Sequence, residues 1–561
     1  MSEAPRRILI MGGYGTFGGR LARLLADEPA LTLLIAGRSE GNARAFCEKL
    51  PPGAAREALS VDRDSDLDRR LAEIAPDIVV DATGPFQAYG DDPYRAVKAA
   101  LAAGAHYLDF ADGSEFVRGI SRFDEQARSA NLVVLSGVSS FPVLTAAVVR
   151  HLAGDLDSVD SITGGIAPSP YAGVGLNVIS AIAGYAGKKI KVRRGGRDGT
   201  AFALTETRRY TIAPPGRVPL DSTEFSLVDV PDLRLLTDIR PEVQSVWMGA
   251  GPVPAVLHRI LRWLAHAVRL GILPSLAPLA RPMFGTIKVL RWGEHRGGMF
   301  VEIEGRHTGG RSVTRSWHLL AEGDDGPFIP SMAIEAIIRS WLAGRGPEPG
   351  ARPALQELEV RDYETLFAGR SIHTGCRLPG KANEACLYAQ LAGDAWNGLP
   401  APVRALHAAS PEMRARGKAT VTRGTGYFAR AAAGLFNFPE AADDVDVTVT
   451  IRDTPEGEVW ERDFGGRRFS SVQYEGRGRS RWLLCERFGP FVFAMALVRD
   501  ANRLRFVVRR WSFLGIPLPR WMAPTGDSCE YAEDGRFRFQ VEIGTPLTGA
   551  IVTYAGFLEL H

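Results

Sequence analysis

Near its amino end, at residues 8–18, the chain passes from a short apolar run into closely spaced glycines and then into helix-like sequence. Gly13, Gly15 and Gly18 have the G-x-G-x-x-G spacing, which provides a tight turn, close approach of the backbone to a pyrophosphate, and packing of helix against strand. Apolar residues then recur at helical spacing: Phe17, Leu21, Leu24 and Leu25. We therefore expect a strand, a turn and a helix whose N-terminus binds phosphate. The predicted contacts also include Tyr14, Thr16 and Phe17.

The second predicted strand, from Leu31 to Ala36, ends in Gly37-Arg38-Ser39. Enzymes that prefer NAD usually place an acid here, where it accepts a hydrogen bond from the ribose 2′-hydroxyl. Arg38 and Ser39 instead suit a 2′-phosphate, which predicts NADP (NADPH) as the cofactor. Asp62 follows the third predicted strand, where it lies near the adenine ring or in a solvated loop.

Strand-like and helix-like stretches alternate over residues 1–150, which predicts an α/β, Rossmann-type doubly wound parallel sheet. Ligands of such sheets bind outside the carboxyl ends of the strands. We therefore expect Thr83, Gly84 and Pro85, which follow the fourth strand, to lie beside the nicotinamide. Asp92 and Gly104 are predicted to bound the helix that follows.

The same edge supplies candidate catalytic residues: Tyr89, Asp109, Ser139 and Ser140. Tyr89 or a serine can donate to a developing anion, and Asp109 can orient a partner. Each also has a structural interpretation, in which Tyr89 packs, Asp109 caps a turn and the serines bind backbone or the cofactor amide.

Composition argues against a nucleic-acid-binding protein and against a metal site. The 67 basic and 64 acidic residues give a formal charge of +3, so there is no general basic surface for nucleic acid. The five cysteines are scattered and the ten histidines form no H-E-x-x-H motif, so no metal site is predicted. The first residues lead directly into a strand, and we expect a cytoplasmic protein.

Several stretches together resemble the saccharopine dehydrogenase-like reductases, over about residues 6–375. They are residues 12–18, 82–90, 106–110, 137–142, 326–330 and 350–353. The resemblance implies an NADP-binding domain followed by a mixed α/β domain that carries the substrate and often a dimer contact. Members of the family act on imines formed from amino acids, and some relatives resemble enoyl reductases of lipid or polyketide pathways.

The second domain is predicted at residues 151–380, with a solvated basic loop at Lys188–Arg197, favoured over an anion clamp. A hairpin is expected around Thr308-Gly309-Gly310, and a helix from Ser331, as its cap, to Ala343. Two strands, Leu355–Val360 and Arg370–Cys376, are expected to complete the domain.

An amphipathic segment at residues 253–284 lies within a longer stretch, Val243–Gly293, that contains no Asp or Glu. It is broken by prolines and charges and falls short of the roughly 20 apolar residues that span a bilayer. Three interpretations of the segment are open: a buried helical hairpin, a lid over an apolar channel, and peripheral contact with a membrane. The buried hairpin is favoured.

The third domain, residues 381–561, begins with a predicted helix at Glu384–Leu391 and then reads as successive strands separated by turns. This pattern predicts a mostly antiparallel, curved sheet or barrel. Residues 514–519 and 546–554 resemble a domain family of unknown function that occurs behind saccharopine dehydrogenase-like chains. Its aromatic residues either form the core, which is favoured, or line an apolar pocket: Trp460, Phe469, Trp482, Phe491 and Trp511.

Three functions follow from these patterns. The first is an NADP-dependent oxidoreductase acting on a small molecule with an imine or carbonyl group. The second is reduction of a carbon–carbon double bond in an acyl, lipid or polyketide substrate, which predicts a long apolar tunnel between the second and third domains. The third is a non-catalytic module that binds NADPH or lipid without turnover.

Overall fold

The computed structural model describes residues 6–252, 254–307, 309–378, 386–408 and 410–560. The chain divides into two compact units. The first runs to Arg209 and also contains Glu224–Ser316 and Ala321–Ile372. The second contains Tyr210–Thr223, Trp317–Leu320 and the chain from His373 onward.

The amino-terminal part alternates strands with helices. In chain order these are β1 (Arg6–Met11), α1 (Thr16–Leu24), β2 (Leu31–Gly37), α2 (Glu40–Cys47), β3 (Ala55–Ser60), α3 (Leu67–Ile74), β4 (Ile78–Asp81), α4 (Arg95–Ala102), β5 (His106–Asp109), α5 (Ser114–Gly119), α6 (Asp124–Ser129), β6 (Val133–Ser136) and α7 (Thr145–Ala153). Helix α4 begins at Arg95 with Tyr94 as its N-cap, so the predicted cap at Asp92 is wrong.

The middle of the chain adds ten strands and six helices within the described residues. They are β7 (Ser158–Ala167), α8 (Leu176–Tyr185), β8 (Lys189–Arg194), β9 (Arg197–Phe202), β10 (Thr207–Tyr210), β11 (Thr223–Leu227), α9 (Asp232–Ile239), β12 (Ser245–Ala250), α10 (Ala255–Arg269), α11 (Ala280–Val289), β13 (Arg296–Arg306), β14 (Ser312–Glu322), α12 (Ile329–Leu342), β15 (Gly350–Pro353), α13 (Val360–Phe367) and β16 (Ile372–Arg377).

The first sheet has seven parallel strands in the order β15-β6-β5-β4-β1-β2-β3. This confirms the predicted doubly wound fold. Its central strands are buried on both faces, as the near-continuous apolar runs of β1, β2 and β4 require. The seventh strand, β15, comes from far along the chain and pairs with β6.

The second sheet has the order β10-β11-β12-β7-β13-β14-β16 and is mixed, because β12 runs parallel to β7 while β13 runs antiparallel to it. The predicted 188–197 loop is instead the β8–β9 hairpin, whose alternate residues Ile190 and Val192 are buried. The hairpin of β13 and β14 is present, although Thr308 at its turn lies outside the described residues.

Two further local predictions of this region are wrong. Residues 355–359 form no strand, and α13 begins at Val360 under a capping box formed by Glu359 and Asp362. Helix α12 begins at Ile329 rather than after a cap at Ser331, because Pro330 suits the first turn of a helix.

The carboxyl-terminal part is almost entirely strands. Its elements are α14 (Leu387–Ala392), α15 (Ala401–Leu406), β17 (Glu412–Arg423), α16 (Tyr427–Leu435), β18 (Ala442–Thr454), β19 (Gly457–Phe464), β20 (Arg467–Glu475), β21 (Leu484–Phe488), β22 (Phe491–Asp500), β23 (Arg503–Phe513), β24 (Ile516–Pro517), β25 (Ser528–Glu533), β26 (Arg536–Thr545) and β27 (Gly549–Leu560). Glu384, the predicted start of the first helix, lies outside the described part of the chain.

Strands β17 to β23 and β25 to β27 pair antiparallel with their neighbours along the chain, and β27 pairs with β17. These ten described strands therefore form a closed antiparallel barrel, which confirms the predicted curved sheet. Trp460 and Phe469 belong to its buried core, in agreement with the favoured interpretation of these two aromatics. No helix among the described residues is long and apolar enough to cross a membrane.

Candidate active site

The turn after β1 brings three backbone segments into close contact. Gly12 has φ +73°, and a Cβ there would lie 2.7 Å from the carbonyl oxygen of Ala82. A Cβ on Gly18 would lie 2.4 Å from the carbonyl oxygen of Gly12. Gly15 donates its N–H to that same oxygen at 2.9 Å. The left-handed residue of the turn is thus Gly12, which the sequence interpretation had not singled out.

Gly13 has a different role from the tight turn assigned to it. Its N–H donates to the carbonyl oxygen of Ala36 on β2 at 2.9 Å, and a Cβ would lie 2.7 Å from the carbonyl oxygen of Ile10. Gly13 is therefore required by the packing of the turn between two strands.

Helix α1 begins at Thr16 and presents its positive end at this turn. Its N-cap, Gly15, supplies no side-chain hydrogen bond, and the first turn contains no acidic residue. Phe17 stacks on Phe110 with ring centroids 5.7 Å apart, which fixes the first turn against the end of β5. The first backbone N–H groups of a helix, reinforced by its dipole, bind anions such as phosphate.

The turn after β2 holds the two residues predicted to choose the cofactor. Ser39 donates its N–H to the Tyr14 hydroxyl at 3.1 Å, and its own hydroxyl caps α2 by accepting from the N–H of Asn42 at 3.3 Å. Arg38 is exposed, and its side chain has no hydrogen bond or ion pair with any described residue. Its guanidinium is therefore available to a phosphate. Asp62 lies exposed after β3, where it accepts from the N–H of Asp64.

The loop Thr83-Gly84-Pro85 and the start of α8 face the same turn. Asn177 donates its side-chain amide to the carbonyl oxygens of Thr83 (3.1 Å) and Gly84 (2.9 Å). Gly175, the N-cap of α8, lies so close to α1 that a Cβ would be 2.6 Å from the Thr16 hydroxyl oxygen. The turn, the loop and α8 thus converge at the carboxyl edge of the first sheet.

Tyr89 is buried behind this loop and is engaged with protein groups. Its hydroxyl lies 2.7 Å from the Thr83 hydroxyl and 3.1 Å from Asp81 Oδ2. The Arg63 guanidinium stacks on its ring at 3.5 Å. Burial is the largest cause that raises the pKa values of both Tyr89 and Asp81. Tyr89 and Asp81 therefore form a closed network that supports the loop.

Asp109 is opposite Asp81 across the β4–β5 pair and is fully buried. Its Oδ1 accepts from the N–H groups of Gly137 (2.8 Å) and Ala111 (2.9 Å) and from the Ser136 hydroxyl (3.0 Å). Burial raises its pKa to about 7. Asp109 thus fixes the turn after β6.

Ser139 and Ser140 lie just past that turn. Ser140 is buried and Ser139 half-buried, so Ser139 offers the more accessible hydroxyl of the two.

A second group of acids lies past the end of β5 and was missed from the sequence. Asp112 accepts from the Gln87 side-chain amide at 3.0 Å, and Asp229 accepts from the Ser114 hydroxyl at 3.0 Å. Burial raises the pKa of each carboxyl, and the negative charge of Asp229 raises that of Asp112 further. Burial is the largest cause that raises the pKa of Tyr185 on α8, and the negative charges of Asp112 and Asp229 raise it further. The carboxyls of Asp112 and Asp229 therefore hold their protons to a higher pH than an exposed Asp does.

Only part of this group carried a signal in the sequence. Asp112 follows a strand at the carboxyl edge, a position at which acids are worth considering. Asp229 and Tyr185 come from the second sheet region, and nothing local in the sequence places them beside Asp112.

Comparison with known proteins agrees with this geometry. Residues 8–135 match the saccharopine dehydrogenase NADP binding domain. Residues 399–558 match a domain of unknown function, DUF4166. No curated protein matches the chain.

Two solved structures illustrate how distant the structural relatives are. Saccharopine dehydrogenase (L-Glu forming) from Saccharomyces cerevisiae is 14% identical, with a TM-score of 0.47, covering 67% of this chain and 100% of that one. Biliverdin reductase from Synechocystis sp. PCC 6803 is 12% identical, with a TM-score of 0.29, covering 61% and 92%. Neither likeness assigns a substrate.

The matched domain runs from within β1 to within β6, and it includes the glycine turn, the Arg38 turn, the Thr83 loop and Asp109. The chain thus carries a saccharopine dehydrogenase NADP-binding domain at its amino end and a DUF4166 domain at its carboxyl end, and it is an NAD(P)-dependent oxidoreductase.

Proposed function

We propose that the protein transfers a hydride between NADP(H) and an imine or carbonyl group of a small molecule. The observation that carries this proposal is the position of two half-buried acids beside the carboxyl edge of the nucleotide-binding sheet: Asp112, bonded to Gln87, and Asp229, bonded to Ser114. Burial raises the pKa of both carboxyls, which favours a protonated acid that can donate. Reduction of a C=N or C=O group requires a proton at nitrogen or oxygen as well as a hydride.

The residues present fit NADP. The N–H groups at the start of α1, with the turn Gly13, Tyr14, Gly15, Thr16, Phe17 and Gly18, would hold the pyrophosphate. Arg38 and the backbone near Ser39 would bind the 2′-phosphate, with Asp62 on the adenine side. Thr83, Gly84 and Pro85 would border the nicotinamide, which supplies or accepts the hydride.

Within this scheme, Asp112 exchanges the proton with the substrate, and Asp229 raises the pKa of Asp112. Tyr89 and Asp109 act as positioning residues, because their bound oxygens already contact protein groups. Ser139 and Ser140 contact the substrate or the nicotinamide amide. The proposal also includes a division into three domains, with boundaries at residues 150 and 380. It further includes a homodimer, which light scattering of the full chain would detect.

The test is NADPH oxidation, followed by absorbance, with a panel of imines, ketones and enoyl thioesters. Asp112→Asn is expected to lower kcat about a hundredfold or more with any imine or carbonyl substrate, because general acid catalysis commonly contributes that much. The dissociation constant of NADPH should stay unchanged. Asp238→Asn, a change at an exposed acid on α9, is the control and should behave as wild type.

Turnover confined to enoyl thioesters would contradict the proposed substrate class. Tight NADPH binding without oxidation by any member of the panel would favour the non-catalytic alternative.

A further inference from the structure

Helix α10 has apolar residues on two opposite faces. On the inner face, Ala265 is fully buried, and Leu261, Leu264 and Val268 pack against a core cluster that includes residues of α8. Packing of this inner face is sufficient to hold α10 in the first unit. The exposed apolar residues on the rest of the helix therefore require another explanation.

The outer face is exposed along the whole helix. Val256, Ile260 and Trp263 are 47%, 45% and 74% exposed, and Leu270, just past the last turn, is 72% exposed. Their spacing of i, i+4, i+7 and i+14 places them on one stripe, which is about 21 Å long at about 1.5 Å per residue. Ile272, in the turn that follows, is 71% exposed. A contiguous apolar stripe of this kind marks an interaction surface rather than scattered surface residues.

The segment that carries the stripe contributes charge of one sign only. From Val243 to Gly293 the chain contains six Arg and Lys residues and no Asp or Glu. Arg262 is paired with Glu224, and Arg269 lies over the ring of Phe202. Arg259 is exposed directly beside Ile260. The surface is therefore apolar along its centre, with the exposed cation of Arg259 at its edge.

We propose that the outer face of α10 docks onto a lipid bilayer surface that carries anionic headgroups. The helix would lie in the interfacial plane, with Val256, Ile260, Trp263 and Leu270 among the acyl chains and Arg259 against the headgroups. Tryptophan is enriched at this depth because its ring is amphipathic. The helix has 15 residues, too few to cross the hydrocarbon core.

A bilayer fits this surface better than a second copy of the chain. In a symmetric pair the same patch meets itself, so Arg259 of each copy would approach a face to which residues 243–293 contribute no acid that could pair with it. Anionic headgroups supply the missing charge. This docking surface is separate from the proposed hydride transfer and does not depend on it.

The test is flotation of the full chain with vesicles of phosphatidylcholine alone or with about one third phosphatidylglycerol. We expect binding to the anionic vesicles, and Trp263→Ser combined with Ile260→Ser should weaken it at least about tenfold. Arg259→Glu should weaken it several-fold and reduce its salt sensitivity. Trp521→Ser is the matched control, because Trp521 is 66% exposed but lies in the second unit.

Unchanged circular dichroism melts and NADPH affinity would show that the variants are folded. Failure to bind any vesicle, equal binding to both lipid compositions, or an equal loss in Trp521→Ser would overturn the proposal. It would also be overturned if wild type were a dimer by light scattering and Trp263→Ser a monomer, because a second copy would then cover the face.

Discussion

Arg38 stands exposed at the end of β2, next to the backbone that the Tyr14 hydroxyl fixes. Because its guanidinium has no partner among the described residues, its contribution to binding a 2′-phosphate is not offset by the loss of a protein contact. The proposed preference for NADPH therefore depends on a side chain that can be changed without disturbing the fold.

Arg38→Ala is expected to weaken NADPH binding about tenfold and to leave NADH binding unchanged, since only NADPH carries the 2′-phosphate. Fluorescence titration with both nucleotides measures the effect. Arg44→Ala, at an exposed arginine of α2 that pairs with Glu40, is the control. An equal loss for both nucleotides would contradict the assignment of Arg38.

Asp109 links the stability of the first unit to pH. Its pKa in the folded protein is about 7, whereas an Asp in an unfolded chain titrates near 4. Between these values the folded state binds the extra proton, so this residue lowers the free energy of unfolding as pH rises from about 4 to about 7.

Asp109→Asn keeps an oxygen that can accept from Gly137 and Ala111 but removes the ionisation. We expect the decrease in unfolding free energy between pH 5 and pH 8, measured by urea denaturation, to be smaller in the variant by about 2 kcal/mol. Asp238→Asn should show the wild-type decrease. The same decrease in Asp109→Asn would mean that the carboxyl titrates normally in the folded protein.

The sequence predicted the positions of some site residues but not their contacts. The glycine spacing predicted the turn after β1 but assigned its tight turn to Gly13, whereas the left-handed residue is Gly12, which lies against Ala82. Chain position predicted that Tyr89 and Asp109 lie at the carboxyl edge of the sheet, whereas the hydrogen-bond partners of these residues depend on packing between strands. Asp229 could not be placed beside Asp112 from local pattern, because its position depends on the second sheet region.

At the scale of elements, the turn between β1 and α1 depends on the close approach of α1 to the end of β1. Gly18→Ala places a methyl group 2.4 Å from the Gly12 carbonyl oxygen, so the helix must shift away from the turn. We expect NADPH affinity to fall at least about tenfold, measured by titration. Gly184→Ala in α8 has open space around its Cβ and should retain full affinity. Unchanged affinity in Gly18→Ala would show that α1 does not bind the cofactor phosphates.

Element prediction succeeded where apolar periodicity was strong and failed where small or charged residues filled the strands. Strands β1, β2 and β4 are long apolar runs and were recognised. Strand β17 buries only Ala415, Ala419 and Val421, too few and too small apolar residues to mark a strand in the sequence. The β8–β9 hairpin has many exposed charges, so it reads as a loop, although its backbone pairs regularly. The outer face of α10 shows the opposite failure, because apolar spacing suggested burial and the structure exposes it.

At the scale of the whole molecule, closure of the barrel depends on the pairing of β17 with β27. A Cβ on Gly417 would lie 1.8 Å from the carbonyl oxygen of Phe557, so Gly417→Ala separates these strands. We expect faster hydrogen exchange in β17 and β27 and a loss of about 2 kcal/mol or more of local stability. NADPH affinity should not change, since the strain lies in the other unit.

Gly434→Ala in α16 is the control, because nothing lies within 4 Å of its Cβ. Wild-type exchange rates in Gly417→Ala would contradict a closed ring of strands.

The late strand β15 has a consequence for synthesis of the protein. Strand β6 emerges from the ribosome as the outermost strand of the nucleotide-binding sheet. Its partner, Gly350–Pro353, follows only after six of the seven strands of the second sheet have been made, since β16 alone comes later among the described strands of that sheet. At typical translation rates of about 5–20 residues per second, the delay is roughly 10 to 40 seconds. During that time the nascent chain exposes an unpaired, strongly apolar strand, a natural binding site for a chaperone.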